Sequence, residues 1–222
     1  MKTPVSPKPP VKKALAKPSV KAPKRSAKPA PKASYHHGNL RETLLVAADA
    51  VLTERGAQGI TLRDVAKAAG VSHAAPYHHF ASLNDLLAAV AERAFITLGD
   101  AVEAAAQAHD PRERLLQISE AYVACARAHP AQFRLMFGPL LAHKSEYPAF
   151  KAAAERAFGT MLATACAYDP QNGPEYALAG WSLVHGLSNL MIDGAFDGLP
   201  IQVGNPDGLA RVLVGRVLGV RR

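Results

Sequence analysis

Residues 60–80, ITLRDVAKAAGVSHAAPYHHF, decide the fold, because they hold the start and stop signals of two short helices. Thr61 is a good N-cap, and Asp64 stands three residues later, at the spacing of a capping box. Gly70 ends this first short helix in a tight turn, and Ser72 is a strong N-cap for the next one. Two short helices joined by a glycine-containing turn predict a helix-turn-helix.

The second of these helices contains a proline. If Ser72 caps the helix, Pro76 is its fourth residue and removes one backbone hydrogen bond near the start. We therefore expect an α-helix of about eight residues, about 12 Å long, which fits the ~12 Å width of the DNA major groove. Phe80 would anchor its end in the core. The residues expected at base edges are His73, Ala74 and Ala75, and those expected at phosphates are Tyr77 and His79.

Helical punctuation continues on both sides of this stretch. Asn39 with Glu42 has the capping-box spacing, and Gly56 ends the first helix. One face of that helix is apolar and comprises Leu40, Leu44, Ala47, Ala48, Val51 and Leu52. Later helices are predicted over 83–98, from Asp110-Pro111 to about 129, over 131–137, 148–167 and 174–196, and from Asn205-Pro206, the last with an apolar stripe of Leu209, Val212, Leu213, Val217 and Val220. No strand pattern competes, so the fold class is all-α.

The net charge of +8 is unevenly distributed. Residues 1–34 contain nine lysines, Arg25, eight prolines and no acid, whereas residues 35–222 carry 16 basic against 18 acidic residues, a net charge of −2. Such a segment has little to bury and repels itself, so we expect a disordered basic tail. Its charge suits a polyanion such as DNA, although an incidental solubilising extension is the alternative.

The composition also argues against several classes of protein. The two cysteines, Cys125 and Cys166, lie in apolar surroundings, which indicates reduced thiols and not a disulfide framework. Neither a secretory signal nor a membrane span is predicted, and the expected location is cytoplasmic and nucleoid-associated. We find no GxSxG, HExxH, Walker-type or CxxC motif, so we expect no enzyme activity and no cofactor. Adjacent histidine pairs point about 100° apart on a helix, so no metal site is expected.

The stretch from 60 to 90, ITLRDVAKAAGVSHAAPYHHFASLNDLLAAV, resembles the DNA-binding signature of TetR/AcrR-type transcriptional regulators. That signature couples a helix-turn-helix to a Tyr-x-His-Phe element and a leucine-rich fourth helix, and the resemblance covers about residues 37–90. It implies a homeodomain-like three-helix domain over 35–82. The residues that it places at DNA are Thr61, Arg63, Ser72, His73, Ala74, Ala75, Tyr77, His78 and His79. Leu83 replaces the family's usual lysine, so one phosphate contact is expected to be missing.

Three later motifs, HisPro at 129–130, PheArgLeuMetPhe at 133–137 and TrpSerLeuValHisGly at 181–186, resemble the TetR-type C-terminal domain with a Trp-His-Gly motif. The resemblance implies that residues 83–222 form a helical domain for effector binding and dimerisation. Candidate effector-binding residues are Phe133, Met136, Phe137, Met161, Trp181 and His185. The alternative is that Trp181 and His185 only pack in the core.

Taken together, these features predict a homodimeric repressor that binds a palindromic DNA operator and is released by a small hydrophobic effector. One short recognition helix reads few base pairs, so two half-sites are expected, with the last two helices (about 174–196 and 206–220) as the dimer interface. The rival hypothesis is a nucleoid-associated, histone-like DNA-binding protein in which the basic tail dominates binding.

Overall fold

The computed structural model describes residues 40–56, 59–141, 143–197 and 206–219, which belong to a single compact unit. This part of the chain contains eight α-helices and no strand, which confirms the predicted all-α fold class. The helices are α1 (Leu40–Arg55), α2 (Leu62–Ala68), α3 (Leu83–Ala105), α4 (Pro111–Ala128), α5 (Pro130–Phe137), α6 (Pro148–Tyr168), α7 (Gly173–Ile192) and α8 (Pro206–Gly219). Two short 3₁₀ helices, Ala75–His78 and Lys144–Glu146, interrupt the series. No helix in these ranges is long and apolar enough to cross a membrane.

Local capping chemistry explains where several helices begin. Thr61 and Asp64 form the predicted capping box at the start of α2, and Ser82 forms a second one with Asp85 at the start of α3. At α4 the carboxylate of Asp110 accepts hydrogen bonds from the amides of Arg112 and Glu113. These bonds satisfy amides that have no partner within the helix, so each start is well defined. The predicted cap at Asn39 and the basic tail lie outside the described residues.

Two helix ends differ from the sequence prediction. Helix α3 continues to Ala105, beyond the predicted end at Leu98, because its buried face carries on through Gly99 and Val102 against α6. Helix α7 ends at Ile192, before the predicted Phe196, since Gly194 adopts φ +65° in a turn. Such a left-handed conformation, which glycine adopts at little cost, commonly terminates a helix.

The core is continuous from the N-terminal helices to the C-terminal ones, and α3 lies at its centre. This helix packs against α1, α4, α5 and α6. The apolar face predicted for α1 is buried apart from Leu40, which is half-buried. Helix α3 therefore connects α1 with α4, α5 and α6 through one core.

The buried face of α8 is rotated from the predicted stripe. Ala210, Val214 and Leu218 face the core, whereas Val212 of the predicted stripe is 52% exposed. The half-buried members of that stripe are Leu209, Leu213 and Val217, and Val220 lies outside the described residues. Helix α8 therefore leaves part of its apolar surface exposed to solvent, chiefly at Val212.

Candidate DNA-binding segment and effector cavity

The segment predicted to enter DNA, residues 72–79 (the recognition segment), contains a 3₁₀ helix, so the prediction of an eight-residue α-helix capped by Ser72 is wrong. Its backbone bonds join residues three apart: Ala75 N donates to Ser72 O at 3.0 Å and Tyr77 N to Ala74 O at 3.2 Å. Pro76 explains the difference, because it has no N–H to donate and its ring excludes the carbonyl four residues earlier. Proline also disfavours the α conformation at Ala75.

The recognition segment is exposed on one side and anchored on the other. Pro76 and Phe80 are buried, so the predicted anchoring role of Phe80 is confirmed. Ala75 is half-buried. The exposed side chains of the segment are Ser72, His73, Ala74, Tyr77, His78 and His79. Tyr77, at 62% exposed, is a large aromatic that nothing in the described chain covers. One side of this segment is therefore open to solvent.

Helix α2 precedes the recognition segment and supplies the other two predicted DNA contacts. Thr61 and Arg63 are both exposed at its start. The Thr61 hydroxyl bonds to Asp64, so Thr61 has a capping role whatever else it contacts. Between the two elements Gly70 adopts φ +68°, which makes the tight turn predicted there. The DNA contacts themselves remain predictions.

A second feature is an apolar cavity of about 350 Å³ between α3, α4, α5, α6 and α7. Its lining residues are Phe95, Leu98, Tyr122, Phe137, Ala154, Glu155, Ala157, Phe158, Met161 and Trp181. Three of the six predicted effector residues, Phe137, Met161 and Trp181, are among them. Phe133 and Met136 instead line a separate cavity of about 120 Å³, and His185 lines neither. The structure therefore does not gather all six residues around one cavity.

A hydrogen-bonded group of three aromatic side chains stands at the wall of the larger cavity. Trp181 Nε1 donates to the Tyr122 hydroxyl at 3.3 Å, and that hydroxyl lies 3.0 Å from His185 Nδ1. Burial lowers the pKa of His185 and raises the pKa of Tyr122 well above its usual value. At neutral pH the imidazole is thus uncharged and the phenol protonated. With the imidazole proton on Nε2, the Tyr122 hydroxyl accepts from Trp181 and donates to His185 Nδ1.

His185 is also surrounded by rings. Its centroid lies 4.5 Å from that of Phe137 and 5.2 Å from that of Phe133. The histidine therefore matches the packing alternative for this motif, a satisfied histidine among aromatic rings. Trp181 differs, because it both packs against Phe158, at 5.7 Å between centroids, and lines the cavity.

Polar contacts join α3 to α1 and to the residue that precedes α6. Arg93 of α3 forms an ion pair with Glu42 of α1 at 2.7 Å. The Tyr147 hydroxyl, immediately before α6, donates to Asp85 Oδ1 at 3.2 Å. Burial and the Asp85 carboxylate raise the pKa of Tyr147, so its hydroxyl keeps the proton that it donates.

A further contact involves α5, in which Gln132 Nε2 donates to Thr53 Oγ1 of α1 at 3.2 Å and lies 3.4 Å from Asp49 Oδ1. Helix α5, which lines the cavity, thus contacts α1 directly, and α6 is linked to the start of α3 through Tyr147, the residue that precedes it.

Comparison with known proteins identifies this architecture. Residues 44–90 match the family described as bacterial regulatory proteins, tetR family, and residues 115–217 match the tetracyclin repressor-like C-terminal domain. The chain belongs to the TetR family. This is a family of transcriptional regulators with an N-terminal helix-turn-helix, which confirms the predicted fold and family.

Individual relatives in the TetR family show how far the similarity extends. The HTH-type transcriptional repressor KstR2 of Mycobacterium tuberculosis is 35% identical over 96 residues, which cover 41% of the present chain and 46% of the repressor. The match thus spans less than half of that relative. A protein of unknown function from Rhodococcus sp. RHA1 superposes with a TM-score of 0.69 at 30% identity, covering 84% of this chain and 97% of that one. The TetR family transcriptional regulator PfmR of Thermus thermophilus has a TM-score of 0.59 at 26% identity, covering 81% and 99%.

Helix α7 of this TetR-family protein has an exposed, uncharged surface. The surface runs along one side of the helix through Leu178, Ala179, Ser182, Gly186 and Leu190. Leu178 is 56% and Leu190 47% exposed. A Cβ added to Gly186 would meet nothing within 4 Å, so no other helix of the described chain approaches this glycine closely.

Several residues that line the cavity of this TetR-family protein were not predicted from the sequence. Tyr122 lies in the buried stripe of α4 with Leu115 and Ile118, so its periodicity indicates burial but not a cavity wall. Phe95 of α3 and Phe158 of α6 belong to no motif, and only tertiary packing brings them to the cavity that Trp181 lines. Within the described ranges no group of three or more histidine, cysteine or acidic side chains could hold a metal, and both cysteines are free.

Proposed function

We propose that this protein is a homodimeric TetR-family repressor that binds a palindromic operator through its recognition segment and leaves it when a hydrophobic effector occupies the cavity. The observation that carries the proposal is the pairing, in one helical unit, of an exposed helix-turn-helix with an apolar cavity of about 350 Å³, a volume within the usual range of ligand sites. We propose a repressor and not an activator because the chain is similar to KstR2, which its name describes as a repressor.

DNA contact falls to two groups of residues. His73, Ala74 and Ala75 meet base edges, where alanine methyl groups favour thymine and one imidazole supplies a hydrogen bond. Tyr77, together with His78, His79, Thr61, Arg63 and Ser72, contacts mainly phosphate oxygens. Direct hydrogen-bond readout is sparse, so DNA shape contributes to specificity.

A dimer is required because a recognition segment this short covers few base pairs. The α7 surface from Leu178 to Leu190 supports an interface around a two-fold axis, since it is uncharged and has small residues at its centre. Val212 adds exposed apolar surface on the neighbouring α8. Two such helices from each protomer form a four-helix bundle.

Release of DNA follows from the way α6 is placed. An effector that enters the cavity pushes on α6, which lines it through Phe158 and Met161. That helix begins next to Tyr147, whose hydroxyl holds Asp85 at the start of α3. A shift of α3 changes the distance between the two recognition segments, so both can no longer enter successive major grooves, and operator affinity falls.

The basic tail supports a second candidate, a nucleoid-associated protein. Its ten positive charges far exceed the net −2 of the rest of the chain, and such a tail binds any DNA by counterion release. In the repressor proposal the same tail raises affinity without adding specificity.

A selection of bound sequences from random duplex DNA tests both candidates, run in parallel on the full chain and on residues 35–222. The repressor proposal expects the same palindrome from both proteins, with a preference of about 10³-fold or more over random DNA. If neither protein enriches a sequence and only the full chain binds, the proposal fails and the nucleoid-associated candidate replaces it.

A further inference from the structure

The wall of the large cavity carries no positive charge. Among its ten described lining residues, the single charged one is Glu155. Its side chain is 65% exposed and lies 3.6 Å from Lys151 Nζ, so it stands at the mouth and already has a partner. The adjacent Arg156 is turned away, because it bonds to Asp100 at 2.7 Å and to Glu103 at 2.8 Å. The nearby ammonium of Lys151 is engaged by Glu155 at the mouth, and no cation is among the lining residues inside.

The interior also lacks a free hydrogen-bond donor among its described side chains. The indole N–H of Trp181 donates to the Tyr122 hydroxyl, and that hydroxyl lies 3.0 Å from His185 Nδ1, to which it donates when the imidazole proton is on Nε2. A buried anion needs donors or a cation to replace its hydration. The oxygen of Tyr122 keeps one lone pair, so the polar group that this wall complements is a donor on the ligand.

Aromatic rings dominate the rest of the wall. Phe158 and Trp181 meet edge-to-face at 5.7 Å, as do Phe95 and Phe137 at 5.3 Å. Rings arranged in this way offer both faces and edges to a further ring. A dry apolar cavity of about 150 Å³ holds one benzene, so about 350 Å³ has room for a larger ligand of about two fused rings.

From these observations we infer that the cavity binds uncharged aromatic compounds of about two fused rings and rejects carboxylates and phosphate esters. The inference rests on the proposed role of the cavity as the effector site and specifies the chemical class of that effector. An ionised aryl carboxylate that enters the cavity loses its hydration and finds no partner there. To enter as the neutral acid it must instead take up a proton at neutral pH, which is about three pH units above its ordinary pKa. Either route weakens its binding at neutral pH by at least about 100-fold.

Isothermal titration calorimetry on the full chain at neutral pH tests the inference with three probes of one shape: naphthamide, naphthoate and naphthyltrimethylammonium. Naphthamide is expected to bind, with naphthoate at least about 100-fold weaker and the ammonium at least about 10-fold weaker. Naphthoate binding as tightly as naphthamide would overturn the inference. Tighter binding of the ammonium would overturn it too, in favour of a cation site at Glu155. Failure of all three probes to bind also refutes it.

Two substitutions on α6 locate the binding. Ala154→Phe fills the cavity from a half-buried lining position and should abolish naphthamide binding, whereas Ala152→Phe, exposed on the same helix and outside the wall, should not. Glu155→Lys should leave naphthamide within about twofold and raise naphthoate affinity several-fold, since it places a cation at the mouth. Equal loss in both phenylalanine variants would contradict the assignment of the site.

Operator release separates this inference from the proposed function. Naphthamide that binds the protein but leaves its operator affinity unchanged would refute the effector role and keep the ligand class. Selection of an operator without binding of any probe would refute the ligand class and leave the proposed DNA-binding function in place.

Discussion

Tyr122→Phe isolates the hydrogen-bonded group at the cavity wall. The substitution keeps the buried ring, which is 3% exposed, and removes the oxygen that accepts from Trp181 and donates to His185. Two hydrogen bonds are lost, each contributing about 1 kcal/mol net. We expect the free energy of unfolding to fall by about 2 kcal/mol, which in a domain of this size lowers Tm by about 4–8 °C.

The measurement is urea denaturation followed by circular dichroism at fixed protein concentration, because dimerisation makes stability concentration-dependent. Tyr176→Phe is the matched control, since Tyr176 is half-buried and its ring packs against Tyr168 at 5.3 Å. It should cost less than about 0.5 kcal/mol. Trp181, the one tryptophan of the chain, supplies a second signal, because its emission should change in Tyr122→Phe and not in the control.

A loss in Tyr122→Phe no larger than in Tyr176→Phe would refute this reasoning. The distances of 3.3 Å and 3.0 Å would then describe groups that exchange their bonds for water at no cost, and the description of the wall as lacking free donors would fail with them.

Three other predictions concern the interface, the contact at α3 and the titration of the wall. Gly186→Arg, but not Ala163→Arg on the exposed side of α6, should raise the dimer dissociation constant at least about 100-fold; light scattering that finds both variants dimeric contradicts the interface. Asp85→Ala should lower the free energy of unfolding by about 2 kcal/mol and Tyr147→Phe by about 1 kcal/mol, since Asp85 also caps α3. If urea denaturation shows equal losses of this free energy in the two variants, Asp85 does not serve both as cap and as partner of Tyr147. Burial lowers the pKa of His185 below its ordinary 6.5, so the unfolded chain binds the proton first and stability falls as pH drops below about 6.5; a His185→Phe variant with the same pH dependence refutes this.

The elements that could be predicted from sequence are those set by neighbours in the chain. The capping residues Thr61 and Asp110 mark the starts of α2 and α4 because their partners lie two or three residues away. The family resemblance in 60–90 is of the same kind, a fixed spacing of residue types. The 3₁₀ form of the recognition segment is local as well, but it depends on how far Pro76 perturbs the residues around it, and a sequence pattern does not measure that.

The cavity could not be predicted in the same way. Its wall combines Phe95, Tyr122 and Trp181, which come from three helices and meet only after packing. The sequence leaves open, for Trp181 and His185 alike, whether they line a pocket or pack in the core. In the structure Trp181 borders the cavity, whereas the imidazole of His185 lies among aromatic rings beside the Tyr122 hydroxyl. Sequence periodicity reports that a side chain is buried, and not whether it borders an empty volume.

The two oxygens of Asp85 serve different partners: Oδ2 accepts from the Ser82 amide at 2.9 Å, and Oδ1 accepts from Tyr147 at 3.2 Å. One side chain thereby caps α3 and also takes part in the contact through which we propose that effector binding moves α3, which has a consequence for genetics. A screen for alleles that keep a reporter gene silent in the presence of inducer should recover substitutions at Tyr147 readily. Substitutions at Asp85 should be recovered less often, because they also destabilise the fold by about 2 kcal/mol and so lower the amount of folded repressor in the cell.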